Sequence, residues 1–215
     1  MGFSPKWRQW IFASLNSATI SILVNGSPTK EFAPTRGLRQ GDPLAPLLFN
    51  IVGEGITGLM REAVQKNLYR SYMVGKKKEP ANILQYADDT VFVGEADWEN
   101  VFVLKAMLRG FELASGLKIN YGKSQFGIIG GRVNWVSQAA QTLNCRQLET
   151  PFCYLGIPVG AKPSSRLVWE PLISKCESKL SKWAQKNISM AGKVTLINSV
   201  LNALPIYLLS FFKIP

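Results

Sequence analysis

Adjacent carboxylates at Asp88 and Asp89 are the sharpest chemical feature of this 215-residue sequence. Held at the end of two strands, such a pair could share oxygens between hard divalent cations such as magnesium. Aspartates are also ordinary turn residues, so the pair alone does not separate metal chemistry from turn chemistry. Its flanks, Ile83-Leu84-Gln85-Tyr86-Ala87 and Thr90-Val91-Phe92-Val93-Gly94, are more apolar than an outer hairpin needs. They predict a buried sheet that offers its acidic tip to a cleft. A second candidate is the loop Arg36-Gly37-Leu38-Arg39-Gln40-Gly41-Asp42-Pro43. Glycines permit close approach and a helix start favours anions, so Arg36, Arg39, Gln40 and nearby amides could meet a phosphorylated ligand. The same residues also make a plain helix entry, with Asp42 as cap and Pro43 in the first turn. A third is Lys175, Lys179, Lys182 and Lys186, whose spacing of 4, 3 and 4 puts them on one helix face. The row flanks an apolar stripe of Leu172, Cys176, Leu180 and Trp183. It suits a row of phosphates or a solvated surface equally well.

Charge and composition narrow the chemistry. Lysine and arginine outnumber aspartate and glutamate 25 to 14, a net +11 that favours a polyanionic partner, nucleic acid ahead of anionic lipid. Histidine is absent, which excludes histidine-dependent triads, general bases and zinc sites. Cys145, Cys153 and Cys176 have neither C-x-x-C spacing nor an even number, so no disulfide framework is indicated and a reducing, intracellular compartment is expected. Asn50 and Glu54 interrupt the longest apolar run, Leu44 to Ile56, so no membrane span is expected.

The elements that must position these residues follow from periodicity and punctuation. A helix is expected over 3 to 16, with Ser4 as N-cap and Pro5 at its start. Strands at Thr19 to Val24 and Thr29 to Ala33 flank Asn25-Gly26, a tight-turn pair. A helix runs from Pro43 to about Lys66, with Leu44, Leu47, Leu48, Ile51 and Leu59 on its buried face. Its Gly53, Gly55 and Gly58 suggest close packing against another backbone. Lys76 to Lys78 reads as a loop, and residues 82 to 94 as a hairpin turning at Asp88-Asp89. After it come a helix over 97 to 114, strands at 117 to 120 and 125 to 129, and a helix near 134 to 143. A small hairpin is expected within 151 to 160, then helices at 166 to 186 and 190 to 204, the last capped by Ser189 and stopped by Pro205. From Lys162 onward eight basic residues stand against Glu170 and Glu177, a net +6, and a domain boundary is placed near residue 161.

Taken together, Arg36 to Phe49 and Tyr86-Ala87-Asp88-Asp89 resemble the reverse transcriptase of plant LINE-type, non-LTR retrotransposons. The likeness extends through Ser115-Gly116-Leu117-Lys118-Ile119-Asn120 with Lys123-Ser124, through Tyr154-Leu155-Gly156-Ile157-Pro158, and to Gly192 through Asn198. It implies an α+β fold: a palm-like antiparallel sheet backed by helices over 1–160, then a small helical, basic, thumb-like region over 161–215. The activity implied is RNA-directed DNA polymerisation from deoxynucleoside triphosphates, on an RNA template and a DNA primer, with two magnesium ions. Asp88 matches a ligand of both ions and Asp89 a weaker ligand. Lys123 matches a lysine assisting pyrophosphate departure, although it reads equally well as a solvated loop residue. Tyr86 and Ala87 match positions beside the primer end, and Gln40 and Gly41, with Arg36 and Arg39, match positions at the incoming nucleotide. Tyr154, Leu155 and Gly156 match the segment that grips the primer backbone, and the four lysines match a nucleic-acid track.

One departure bears on activity. The family places another metal-bridging aspartate upstream, in a motif like Asp-x-x-Lys-Ala-Phe/Tyr-Asp, which this sequence lacks. Before residue 50 only Glu31 and Asp42 are acidic, one on a return strand and the other at a helix cap. The chain is therefore expected to be a truncated element and inactive by itself, since two-metal geometry needs both aspartate positions. The alternative is a non-catalytic nucleic-acid-binding remnant or a pseudogene product.

Overall fold

A computed structural model describes residues 2–34, 41–130 and 134–214. The chain packs as two units, Met1–Ser124 with Gln141–Cys145, and Gln125–Ala140 with Arg146–Pro215. The hairpin within 151–160 lies in the second unit with the helices after it. Helices and short sheets make both units α+β.

The first unit opens with α1, Pro5–Asn16, whose N-cap Ser4 accepts a hydrogen bond from the Trp7 amide. Strands β1, Leu23–Val24, and β2, Ser27–Pro28, turn at Asn25 and Gly26, both at positive φ (51° and 82°), as the Asn-Gly pair requires. Pairing resumes only at an isolated Ile20–Phe32 bridge, so this hairpin is shorter than its sequence pattern suggests. Helix α2 spans Ala45–Gln65, and the Asp42 carboxylate accepts from the Leu44 amide just before it.

The buried face of α2 differs from expectation. Gly53, Ile56, Met60 and Ala63 are buried, whereas Leu44, Leu47 and Leu59 are exposed. The spacing is still helical, but packing against α3, Trp98–Ser115, selects the stripe with the smaller residues. Val101, Leu104 and Met107 of α3 are also buried, and form the core with Ile56 and Met60. Asp97 caps α3 by accepting from the Glu99 amide, and Gly116 ends it in the left-handed conformation (φ 73°).

Two hairpins lie between α2 and α3. The first, β3 Tyr72–Val74 and β4 Glu79–Ala81, flanks the lysine-rich turn and was not apparent from the sequence, because Pro80 and three lysines mask its β pattern. The second is β5 Ile83–Tyr86 with β6 Asp89–Phe92. No strand forms over 117–120; there the Glu112 carboxylate accepts from the Ile119 amide at 3.0 Å, which ties the segment back to α3.

In the second unit, β7 Gln125–Phe126 and β8 Arg146–Gln147 form a parallel pair, the one parallel ladder among the described strands. Helix α4, Val136–Thr142, lies between them in sequence. Strands β9 Phe152–Tyr154 and β10 Ile157–Val159 form a hairpin that contacts α5, Arg166–Ala184. Val168 and Trp169 are buried, and the Trp169 indole donates to the Pro163 carbonyl at 2.8 Å. Helix α6, Met190–Leu196, capped by the Ser189 hydroxyl, widens into a π turn over Ile197–Leu201 before α7, Ile206–Leu209. Contrary to the reading of the sequence by uninterrupted runs, Met190–Leu209 is apolar enough on average (mean hydropathy 1.2) and long enough to cross a membrane by length and composition. Lys193, Asn198 and Asn202 break the run without lowering the average enough to exclude it.

Candidate active site and nucleic-acid surface

In the second hairpin of the first unit, register pairs Tyr86 with Asp89, so the two-residue turn is Ala87-Asp88 and Asp89 already belongs to the return strand. The tip lies one residue earlier than the sequence suggests. Ala87 adopts φ 51°, a left-handed conformation that an L-alanine enters at a cost of roughly 1 kcal/mol. Both aspartates are exposed.

Strand alternation divides the hairpin into two faces. Gln85 and Thr90 share one face with Ile83 and Phe92, while Leu84, Tyr86, Asp89 and Val91 share the other. Gln85 meets α2: its Oε1 accepts from the Thr57 hydroxyl at 3.2 Å, and a Cβ placed on Gly53 would sit 2.7 Å from its Nε2. Gly53 therefore makes room for a side chain rather than for another backbone. Leu84 and Tyr86 on the opposite face are 49% and 64% exposed, so the ribbon is not the buried sheet that its apolar flanks suggest. Among the described residues it has only two strands, and the face bearing Tyr86 and Asp89 stays open.

The base of the hairpin is anchored more firmly than its tip. Gly94 bridges Ser71, and the Glu95 amide donates to the Arg70 carbonyl at 3.0 Å. The buried Asn100 side chain accepts from the Arg70 amide (2.8 Å) and donates to the carbonyls of Arg70 (2.9 Å) and Glu95 (3.0 Å). Arg70 also pairs with Asp97 at 3.0 Å and with Glu99. The Asp97 contact is an ion pair without hydrogen-bond geometry at that carboxylate oxygen. Tyr69 is buried beneath Gly94, and burial pushes its phenol up to about 12.

Sequence reasoning missed Asn100 and Gln85. A polar residue in phase with Val101, Leu104 and Met107 signals the first, and the small-residue spacing of Gly53 and Thr57 signals a seat for the second.

Of the other predicted residues in this unit, Lys123 lies exposed in a turn fixed by the Asn120 side chain, which accepts from its amide at 3.1 Å. Among the described residues, no hydrogen bond or ion pair joins Lys123 to Asp88 or Asp89. Gly41 is exposed at φ 89°. Arg36, Arg39 and Gln40 fall outside the described residues. A cleft of about 320 Å³ between α3 and the 141–145 segment is lined by Lys105, Arg109, Glu112 and Tyr121 among others, none of which belongs to the motifs. There the Ile119 amide holds the Glu112 carboxyl below its ordinary value against the opposing effect of desolvation, with Lys118 and Arg109 adding to the lowering.

In the second unit, Tyr154 ends β9 half-buried, while Leu155 and Gly156 form an exposed turn, both at positive φ (49° and 79°). Lys175, Lys179 and Lys182 lie on α5, and Lys186 follows its C-cap, Gln185. All four are exposed, and none joins an ion pair among the described residues.

Donor chemistry limits what the acidic tip can hold. Asp88 and Asp89 are exposed neighbours, and among the described residues no group of three acidic, histidine or cysteine side chains is placed to hold a metal ion. The pair suits a magnesium ion that retains most of its waters and takes one or two carboxylates.

Residues 1–159 match the reverse transcriptase (RNA-dependent DNA polymerase) family. Among curated proteins, the chain is 41% identical over 69 residues to an uncharacterized mitochondrial protein of Arabidopsis thaliana, covering 32% of the chain and 57% of that protein. It is 27% identical over 207 residues to the transposon TX1 uncharacterized 149 kDa protein of Xenopus laevis, covering 93% of the chain and 15% of that protein. It is also 30% identical over 125 residues to a retrovirus-related Pol polyprotein from a type-1 retrotransposable element R2 of Popillia japonica, covering 58% of the chain and 17% of that protein. The chain thus spans about half of the first relative and under a fifth of the other two. With a family match over most of its length and retrotransposon proteins among its relatives, the chain belongs to the reverse transcriptases of non-LTR retrotransposons.

Proposed function

We propose that residues 1–160 act as part of a polymerase palm and residues 161–215 as the start of a thumb, together binding a primer–template duplex. The observation that carries this reading is the Tyr86–Asp89 hairpin, an acidic tip with a left-handed alanine at its turn and an open face. Strained turns of this kind concentrate at functional sites. Asp88 supplies the principal carboxylate and Asp89 an auxiliary one. A magnesium ion held there, when bound, would supply charge neutralisation to phosphoryl oxygens. Tyr86 and Ala87 flank the primer end. Gly41, with Arg36, Arg39 and Gln40, receives the incoming nucleotide, and Lys123 assists pyrophosphate departure. Tyr154, Leu155 and Gly156 hold the primer backbone, and the α5 lysines follow successive phosphates.

The isolated 215-residue chain binds but does not polymerise on this reading, because one neighbouring pair of carboxylates does not provide the two separated positions that bridge two cations. Primer extension on an RNA template with magnesium and deoxynucleoside triphosphates tests this, alongside duplex binding by fluorescence anisotropy. Binding without extension is expected. Extension abolished by Asp88→Ala would overturn the inactivity, and absence of salt-sensitive duplex binding would overturn the functional reading itself. The alternative, a remnant that binds nucleic acid without any part in polymerisation, is favoured by the absence, among the described residues, of a third metal-binding side chain grouped with Asp88 and Asp89. A chain extended with the missing aspartate motif separates the two, since only a competent palm gains turnover.

A further inference from the structure

The β9–β10 hairpin carries a conformational problem at its tip. Its two-residue turn puts both central residues at positive φ, the geometry that favours Asn-Gly, yet the first position is Leu155 (φ 49°). A leucine there is strained by its own Cβ and persists only where its surroundings fix it. Tyr207 of α7 supplies that support from 52 residues away: its hydroxyl donates to the Leu155 carbonyl at 2.5 Å. Its ring also lies under the second turn residue, where a Cβ on Gly156 would come 3.7 Å from Tyr207 Cε1. Phe211 packs edge-on against the same ring at 5.5 Å and steadies it.

The hydrogen bonds at the tip are asymmetric. Among the described residues the amides of Leu155 and Gly156 have no backbone or side-chain acceptor, whereas the Leu155 carbonyl is taken by Tyr207. A free carbonyl oxygen beside a phosphate would repel it, and free amides attract it. We infer that Tyr207 is a positioning residue for nucleic-acid binding: it holds the strained Leu155–Gly156 turn and masks the Leu155 carbonyl, so that the two turn amides stay open to a backbone phosphate. This rests on the reading of the hairpin as part of the nucleic-acid surface.

The full chain with Tyr207→Phe, Leu155→Asn or both tests it. Affinity for a primer–template duplex is measured by anisotropy, with the urea midpoint as a separate readout. Tyr207→Phe should weaken duplex binding about five-fold, because a turn released from this hydrogen bond spends less time in its binding shape, and should lower the urea midpoint by no more than one exposed hydrogen bond accounts for. Asn at 155 favours the left-handed turn unaided, so in the Leu155→Asn background the added effect of Tyr207→Phe should fall below about two-fold. Unaltered affinity in Tyr207→Phe, while the unsubstituted chain binds, overturns this inference and leaves the functional reading standing. An equal loss in both backgrounds also overturns it, since the hydroxyl would then act independently of the strained turn. Failure of the unsubstituted chain to bind duplex overturns the functional reading and this inference with it.

Discussion

Replacing glycine by alanine at either end of the acidic hairpin's support should destabilise at one and be nearly neutral at the other, although the chemical change is identical. At Gly94 an added Cβ would lie 2.5 Å from the Tyr69 hydroxyl, 2.8 Å from Tyr69 Cζ and 2.9 Å from the Arg70 carbonyl oxygen. None of these can yield cheaply. Tyr69 is 3% exposed, and the Arg70 carbonyl is held by both the Glu95 amide and the Asn100 side chain. Overpacking of this kind costs typically 1 to 3 kcal/mol, and the reduced freedom of the unfolded chain returns roughly 0.4 to 1. A net loss of roughly 1 to 2 kcal/mol follows. At Gly53 the added methyl meets only Gln85 Nε2, the mobile end of a side chain, at 2.7 Å. Moving that amide forfeits the exposed Thr57 bond, worth about 0.5 to 1.5 kcal/mol, while alanine in mid-helix gains about 0.8 to 1. Stability at Gly53→Ala should therefore stay within about 0.5 kcal/mol of the unsubstituted chain. Hydrogen exchange at the Val101, Leu104 and Met107 amides of α3 reads the first unit by itself, without interference from the second. Equal protection in the two variants, or a larger loss in Gly53→Ala, would refute the account of how the hairpin is held.

Asn100→Ala should cost about 2 to 4 kcal/mol in the same assay, because it leaves the Arg70 amide and the carbonyls of Arg70 and Glu95 without their buried partner. The raised phenol of Tyr69 contributes stability in full below pH 10 and loses it as pH climbs toward about 12, since only the unfolded chain ionises in that window; Tyr69→Phe should flatten the alkaline limb of a stability–pH curve. The lowered carboxyl of Glu112 acts in the opposite sense, stabilising above pH 4.5 and losing its contribution as pH falls through the depressed folded value, so Glu112→Gln should reduce the slope of acid unfolding. Replacing Lys175, Lys179, Lys182 and Lys186 by glutamine should reduce the slope of log K against log salt for duplex binding by about 3 to 4, and an unchanged slope would assign them to a solvated face.

Local punctuation made much of the element order legible. Ser4 and Ser189 cap helices and Asn25-Gly26 turns a hairpin as their sequence context indicates, because each depends on backbone geometry within a few residues. What depends on distant partners was harder to read. The α2 sequence carries two plausible apolar stripes, and only the approach of α3 decides that Ile56 and Met60 are buried while Leu47 and Leu59 are not. The hairpin around Lys76 to Lys78 escapes a pattern reading because its pairing is made by backbone groups, beneath side chains that look like loop residues. At the candidate site the acidic pair and the Leu155–Gly156 turn stand out as motifs, but their supports do not. Gln85, Asn100 and Tyr207 act across 28 to 52 residues of chain, a distance over which a single sequence carries no periodicity.

Those supports explain how an exposed two-stranded ribbon can carry a strained turn. A lone hairpin is marginal in water, and Ala87 subtracts roughly 1 kcal/mol more. The ribbon survives because its fixation lies away from the tip: Gln85 is seated on α2, and the Gly94 end is bridged to Ser71 and clamped by Asn100. Fixation at these points leaves the side chains of Tyr86, Asp88 and Asp89 without hydrogen-bond or ion-pair partners among the described residues, so their polar groups remain available to a ligand. The hairpin of the second unit is held at the tip itself, where Tyr207, from an element far along the chain, bonds the carbonyl of the left-handed Leu155. In each unit the strained turn is exposed and its restraint comes from side chains outside the hairpin loop. Local sequence therefore specifies what each tip presents, and long-range packing specifies whether the tip holds its shape.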